Sequence, residues 1–186
     1  MKVDESFHNI DFRSADLDIE YDNCQFQSCN FLEVDLSEIS FLECSFTECN
    51  FTLATFDKCS LKDVTFKKCK MLGVKFSNVN PFLLQTQFDE CLLQESSFYK
   101  LNLKSSSFNN CKLEGADFTE ANLKGSHLKN CDLQDSLFDQ TNLCDTDLSG
   151  SFNFNIDPEK NQISGAKFSA SQLIGLLYKY NLQLEG

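Results

Sequence analysis

The chain has 186 residues, 41% hydrophobic and 24% charged, a composition typical of one folded, soluble domain. Sixteen basic residues against 28 acidic ones leave a net charge of -12, which argues against direct binding of nucleic acid. No apolar run is long enough to span a membrane, and Asp4, Glu5 and His8 stand where a signal peptide needs an apolar stretch, so we expect a cytoplasmic protein.

An apolar residue recurs every five positions along most of the chain. A first run starts at Phe7, a second runs from Tyr21 to Phe76, and a third resumes at Leu83 after a slip of two residues. A period of five fits neither an α-helix nor a β-strand, so the chain must turn as it advances. A small or β-branched residue stands two positions before most of these centres, which predicts a four-sided coil with one large and one small inward side chain on each side.

Several segments resemble the motif of the pentapeptide repeat family, in which a small residue, Asp or Asn, and Leu or Phe precede two variable residues. Good matches are Ala116-Asp117-Phe118-Thr119-Glu120, Ala121-Asn122-Leu123-Lys124-Gly125 and Cys131-Asp132-Leu133-Gln134-Asp135. The resemblance covers roughly residues 7–168 and implies an all-β fold, a right-handed quadrilateral parallel β-helix with twenty residues per turn. The repeats then give about seven turns and a rod about 35 Å long.

Nine of the ten cysteines occupy the small inward position of this coil. Six of them fall in a single column: Cys29, Cys49, Cys69, Cys91, Cys111 and Cys131. Parallel side chains on one wall do not converge as zinc ligands do, and their Cβ atoms stay too far apart for an easy disulfide. We therefore expect buried thiols that act as small hydrophobic groups, no metal and no cofactor, with Cys144 as the one outward thiol.

Two features interrupt the regular coil of residues 1–168, whose register shifts near residues 17–21 and 77–83. The second shift contains Asn78, Asn80 and Pro81, which favour a short protruding corner that is either a plain insertion or a partner contact. Residues 169–186 follow as an α-helix, with Ser169 or Ser171 as its N-cap, and a short extended segment over residues 181–184.

The expected C-terminal helix presents apolar residues at helical spacing: Leu173, Leu176, Leu177 and Tyr180. An open end of a β-helix leaves an exposed core and unpaired backbone groups, so this helix is expected to cover it. Spacing alone leaves open whether the helix only caps the coil or also joins two copies in a symmetric homodimer.

Charge is unevenly distributed along the chain. Residues 1–57 hold thirteen acidic and two basic residues, whereas residues 58–75 hold six lysines and one aspartate. The lysines form a basic belt: Lys58, Lys62, Lys67, Lys68, Lys70 and Lys75. The belt either offsets the charge of neighbouring turns or recognises a partner.

Catalysis has little support, because His8 and His127 flank repeat centres in solvated positions and no catalytic motif is present. Within the family, the tail around Ile156-Asp157-Pro158 and Gly165-Ala166-Lys167-Phe168 resembles that of the quinolone-resistance (Qnr-type) proteins. That resemblance implies a dimeric rod that imitates duplex DNA, binds DNA gyrase or topoisomerase IV and protects it from fluoroquinolones. An interaction or structural rod with an unrelated protein partner is the alternative.

If the resemblance to DNA-mimicking proteins holds, acidic side chains of the N-terminal turns are the candidate partner-binding surface. They are Asp16, Asp18, Asp22, Glu33, Asp35, Glu38, Glu43 and Glu48.

Overall fold

The computed structural model describes residues 1–104 and 106–182, which form a parallel β-solenoid of about eight turns. The predicted β-helix is confirmed, with about one turn more than the sequence suggested. The strands are β1 (Lys2–Val3), β2 (Ser6–His8), β3 (Glu20–Asp22), β4 (Gln25–Gln27), β5 (Ser40–Leu42), β6 (Ser45–Thr47), β7 (Ser60–Lys62), β8 (Val64–Lys67), β9 (Thr86–Asp89), β10 (Ser107–Asn109), β11 (His127–Lys129), β12 (Asp147–Leu148) and β13 (Lys167–Phe168).

The coil has four sides, and successive turns pair in parallel on each of them. Side 1 carries a sheet in the order β1-β3-β5-β7 and then bridges from Asn102 to Gln162. Side 2 carries the nine-stranded sheet from β2 through β4, β6 and β8 to β13. Sides 3 and 4 are joined by single-residue bridges, from Asp11 to Phe152 on side 3 and from Asp35 to Leu137, with breaks, on side 4.

Most paired residues lie one turn of twenty residues apart, as Phe26 and Phe46 do. The offset is nineteen between Phe7 and Phe26 and twenty-two between Phe66 and Phe88. The extra or missing residues therefore lie in the segments that connect two sides, and the columns of inward side chains stay aligned.

Columns of stacked phenylalanines fill the core. On side 2 the rings of residues 7, 26, 46, 66, 88 and 108 stack with centroids 4.6 to 5.2 Å apart and planes within 14°. Rings of adjacent sides meet edge to face, as Phe46 and Phe51 do at 5.2 Å and 80°. The distance between turns matches the ring-stacking distance, so phenylalanine gains favourable aromatic contacts in both directions, which accounts for most of its nineteen occurrences.

The small inward residues satisfy backbone groups of the preceding turn. The Thr141 hydroxyl donates to the Phe118 carbonyl at 2.8 Å, and the Cys49 thiol is placed in the same way, 3.5 Å from the Phe26 carbonyl. Nine cysteines are buried as predicted, and burial raises the pKa of Cys44 to about 12 and that of Cys59 as well. These thiols are neutral packing groups, while Cys144 is partly exposed.

Most corners of the coil in the described residues use a residue in the left-handed conformation, usually two positions after the repeat centre. Most corners carry residues other than glycine, at a cost of about 1 kcal/mol each, which the cross-turn hydrogen bonds must offset. The Asp or Asn before a centre supports the turn that leads to the corner: the side-chain oxygen of Asn50 accepts the Thr52 N–H at 3.1 Å. Most corner side chains are exposed to solvent.

The predicted register at Leu83 is wrong. Leu83 has a φ of +56° and is 54% exposed, whereas Leu84 is buried. The extra residues follow a short 3-10 helix, Phe76–Asn78, and the left-handed turn at Leu83 directs its side chain outward. Regular pairing resumes at Thr86 in β9.

The C-terminal helix forms, but as two 3-10 helices, Ala170–Leu176 and Tyr178–Tyr180, in place of the expected α-helix. Ser169 does not cap the helix, because its hydroxyl accepts the Gly150 N–H at 2.9 Å. Gly175 disfavours an α-helix at its middle, and its carbonyl accepts the Ile156 N–H at 3.0 Å. Asn181 adopts a left-handed turn in place of the expected extended segment, whose residues 183 and 184 lie outside the described residues.

A charged clamp fastens this cap to the coil. The Lys179 ammonium lies 2.8 Å from the Asp157 carboxylate and 2.7 Å from that of Glu159, which also accepts a hydrogen bond from the Tyr180 hydroxyl at 3.2 Å. Lys179 lowers the pKa of both carboxyl groups. The clamp therefore depends on their ionisation.

We expect F46L to reduce stability more than F108L, by about 1 kcal/mol. Phe46 stacks on aromatic rings on both sides along its column, whereas Phe108 has one stacked neighbour, Phe88, because Leu128 follows it. Urea unfolding of the two variants and the wild type measures the difference. Equal costs would contradict the stacking explanation for the phenylalanine content.

We expect K179M to lower Tm at pH 7, with a difference from the wild type that shrinks as the pH falls below about 4. Carboxyl groups with a lowered folded-state pKa contribute stability above their unfolded pKa and lose it on protonation, here those of Asp157 and Glu159. Calorimetry between pH 7 and pH 2 measures this, with K167M as the control for loss of an exposed lysine. A pH-independent difference would argue against the clamp.

Candidate protein-binding surfaces

The acidic side chains of the N-terminal turns are not all on one face. Glu33, Glu38, Glu43 and Glu48 occupy the four successive corners of one turn, all exposed, with φ between +52° and +63°. They therefore point in four directions around the rod. Asp22 lies on side 1, in β3.

Side 4 carries five carboxylates in three successive turns, which we call the acidic strip: Asp16, Glu33, Asp35, Glu38 and Asp57. Asp16 and Asp35 lie on this side in successive turns, and Glu33 and Glu38 stand at its two corners. Asp57 continues the strip into the next turn, where Thr55 pairs with Asp35. Asp57 is not among the residues predicted from the sequence, although the residue one turn of twenty before it, Ser37, lies on the same side as Asp35.

Some of these charges are already paired within the chain. The N-terminal ammonium lies 2.7 Å from the Asp18 carboxylate and lowers its pKa. Lys58 lies 3.1 Å from Glu38. Hydrogen bonds from Ser37 lower the pKa of Asp35, which keeps that carboxylate ionised. Asp18 is thus a weak candidate for partner binding, and Asp35 a strong one.

The six lysines of the basic belt encircle the rod. Lys58 pairs with the turn before it, and Lys67 and Lys68 lie 3.8 and 3.9 Å from Asp89 and Glu90 in the turn after it. These three offset the charge of neighbouring turns, whereas Lys62, Lys70 and Lys75 form no ion pair within the part of the chain that the structure describes.

The corner after the basic belt projects from the rod. Asn78 donates to the Asp57 carboxylate at 2.7 Å, and the Asn80 side-chain oxygen accepts the Phe82 N–H at 3.0 Å, so both asparagines shape the turn. Pro81 and Phe82 project beyond them, and Phe82 is 72% exposed. Among the described residues Phe82 is the most exposed aromatic side chain, and it was not among the residues predicted from the sequence.

The C-terminal cap exposes apolar side chains on its outer surface. Leu173, Leu177 and Tyr180 are 44%, 38% and 52% exposed, whereas Leu176 packs against the core. Leu182 extends this exposed group, which we call the apolar cap surface. Ile174 and Tyr178 are also exposed, but they line a cleft between the cap and the last regular turn and do not belong to that surface.

Nothing in the described residues resembles a catalytic centre. His8 and His127 are both exposed on side 2, and no group of three or more His, Cys, Asp or Glu side chains in residues 1–104 and 106–182 is arranged to hold a metal ion. Among the same residues, no helix has the length and hydrophobicity that a bilayer span requires.

Comparison with known proteins agrees with this architecture. Two trypsin-treated variants of QnrB1, a plasmid-mediated fluoroquinolone resistance protein, have similar solved structures. The first has a TM-score of 0.69 at 17% sequence identity, and the alignment covers 99% of both chains. The second has a TM-score of 0.64 at 19% identity, and the alignment covers 99% of this chain and 98% of the other. At these identities the likeness concerns the fold alone.

No curated protein sequence matches this chain. The family model described as pentapeptide repeat region matches residues 19–81 and 82–173, which is most of the chain. The chain therefore belongs to the pentapeptide repeat family.

Proposed function

We propose that this protein is a non-enzymatic, cytoplasmic binding protein that presents its acidic strip to the DNA-binding surface of a type II topoisomerase and protects that enzyme from fluoroquinolones. The observation that carries the proposal is the grouping of Asp16, Asp35 and Asp57 on side 4 in three successive turns, of which the second and third are joined by backbone hydrogen bonds. The likeness in fold to QnrB1 supports it.

Imitation of duplex DNA requires carboxylates at regular intervals on a rigid support. Successive turns lie about 4.8 Å apart, so side 4 places a carboxylate on each of three turns at about that spacing, with Asp57 two residues beyond the position equivalent to Asp35. Twelve net charges on a rod of about eight turns give roughly one per 3 Å, against one per 1.7 Å in DNA. The imitation is therefore partial and confined to the N-terminal turns, because Lys75 interrupts side 4 one turn after Thr55.

We propose further that two copies join through the apolar cap surface. Its residues lie on the solvent side of the cap, whereas Leu176 already packs against the core. A contiguous apolar patch at the end of a rod suits a symmetric contact in which each copy covers the other. The two acidic strips then lie at opposite ends of a longer rod.

The alternative is a protein-interaction rod whose partner is unrelated to topoisomerases. The exposed Phe82 and Leu83 favour it, because a projecting aromatic residue is a common anchor in protein interfaces. On this reading the acidic strip contributes solubility, and changes in the strip leave partner binding intact.

We expect a variant with D16N, E33Q, D35N and D57N to lose at least tenfold in affinity for DNA gyrase holoenzyme, because it removes four carboxylates proposed to pair with basic groups of the DNA-binding surface. The matched control carries D22N, E43Q, E48Q and D63N, which remove the same charge from other sides and are expected to change affinity less than twofold. Calorimetric titration at several salt concentrations measures both, and wild-type affinity should fall steeply with salt. Equal losses in the two variants would contradict a role for side 4.

We expect the wild-type protein to sediment as a dimer and the variant L173E/L177E as a monomer, because two carboxylates cannot be buried unpaired in an apolar contact. Analytical ultracentrifugation over a range of concentrations measures this, and L53E, at a leucine 57% exposed away from the cap, is the control. A wild-type monomer at all concentrations would contradict the dimer, while leaving the test of the acidic strip unaffected.

A further inference from the structure

A cleft opens on side 4 where the last regular turn meets the C-terminal cap. It consists of two adjoining hollows of about 350 and 460 Å³, which share Asn155 and Tyr178. The backbone of residues 135–139 forms its floor, and Ile174, Gly175 and Tyr178 of the cap form its other wall.

The hydrogen-bond ladder of side 4 ends at this floor. One turn earlier, Gly115 N–H donates to the Gln134 carbonyl, and Phe118 N–H to the Leu137 carbonyl, each at 2.9 Å. The Ala116 carbonyl accepts the Leu137 N–H, also at 2.9 Å. Every group at that edge is therefore paired with the turn that follows.

The equivalent groups one turn later are Asp135 N–H, Phe138 N–H and the Ser136 carbonyl. None of them has a hydrogen-bond partner among residues 1–104 and 106–182. The chain that should pair with them turns towards the cap, where Ile156 N–H donates to the Gly175 carbonyl at 3.0 Å. The floor is thus a short strand edge at which two backbone N–H donors and one carbonyl acceptor have no hydrogen-bond partner in the described residues.

The side chains around this edge are apolar and acidic. Leu137 is 56% exposed and Tyr178 is 47% exposed, both at the cleft. The carboxylates of Asp135 and Asp139 line it, whereas no lysine or arginine lies among the lining residues of either hollow. The cleft therefore favours a partner with an apolar side chain and a positive charge.

We propose that this cleft binds an extended peptide segment of another protein, which adds a strand to the edge at residues 135–138. The segment's backbone supplies the missing hydrogen bonds, an apolar side chain packs on Leu137 and Tyr178, and a lysine or arginine pairs with Asp135 or Asp139. A helical segment has no free backbone groups for this edge, and a nucleic acid would be repelled by the carboxylates. The site lies several turns from the acidic strip and does not depend on the topoisomerase proposal.

Selection from a library of random linear peptides displayed on phage, with the full chain as bait, tests the proposal. We expect enrichment of sequences that combine basic and β-branched or aromatic residues, without proline at the centre. The selected peptide is then synthesised, and its affinity is measured by calorimetric titration against the wild type and variants. No enrichment over an L137K bait would overturn the proposal.

Three variants make the test specific to the cleft. L137K should weaken the selected peptide at least tenfold by placing a positive charge at the floor, and D135N/D139N should weaken it and reduce its salt dependence. D63N/D145N removes the same charge at exposed corners outside the cleft and should leave the affinity unchanged. Unfolding curves establish that each variant is folded.

Two results would overturn the proposal even if a peptide binds. A peptide in which alternate backbone nitrogens are methylated cannot pair as a strand, so unchanged affinity for it would exclude strand addition. Binding that appears only after deletion of residues 183–186 would mean that the chain fills its own cleft rather than binding another protein.

Discussion

Hydrogen bonds between the backbones of successive turns set the spacing on which the rest of this structure depends. They hold turns about 4.8 Å apart, which is also the distance at which aromatic rings stack. A column of phenylalanines therefore packs without gaps, and the small residues beside it need only fill the space and bond to carbonyls below, as Thr141 does. The same bonds offset the cost of a left-handed residue at nearly every corner.

This construction separates stability from recognition. Inward positions accept few residue types, whereas the outward positions and corners, such as Glu33 and Glu38, are exposed and contribute little to packing. Function is therefore expected where the outward residues form a pattern or where the ladder is interrupted. The acidic strip is such a pattern, and the projecting corner at Phe82 and the cleft above Phe138 are such interruptions.

The sequence predicts the regular part of the fold well, because the period of five makes burial visible: Phe26, Phe46 and the buried cysteines are where it places them. It fails where the period is broken. Leu83 fits the period of a repeat centre, yet the two extra residues before β9 allow the chain to turn its side chain outward. Gly175 favours 3-10 helices and bonds to Ile156, a contact between residues nineteen positions apart that a local sequence pattern does not reveal. The sequence also does not show that the acidic candidates lie on different sides, or that the backbone edge under the cap is unpaired. Both depend on which turns lie next to each other in the fold.

The most direct measurement is a supercoiling assay with purified DNA gyrase and a fixed inhibitory concentration of ciprofloxacin, across a titration of this protein. We expect supercoiling to recover as the protein is added, and high salt to abolish the recovery, because binding through carboxylates is screened. No recovery at any concentration, with folded protein and active gyrase, would contradict the account and leave a rod whose partner is another protein.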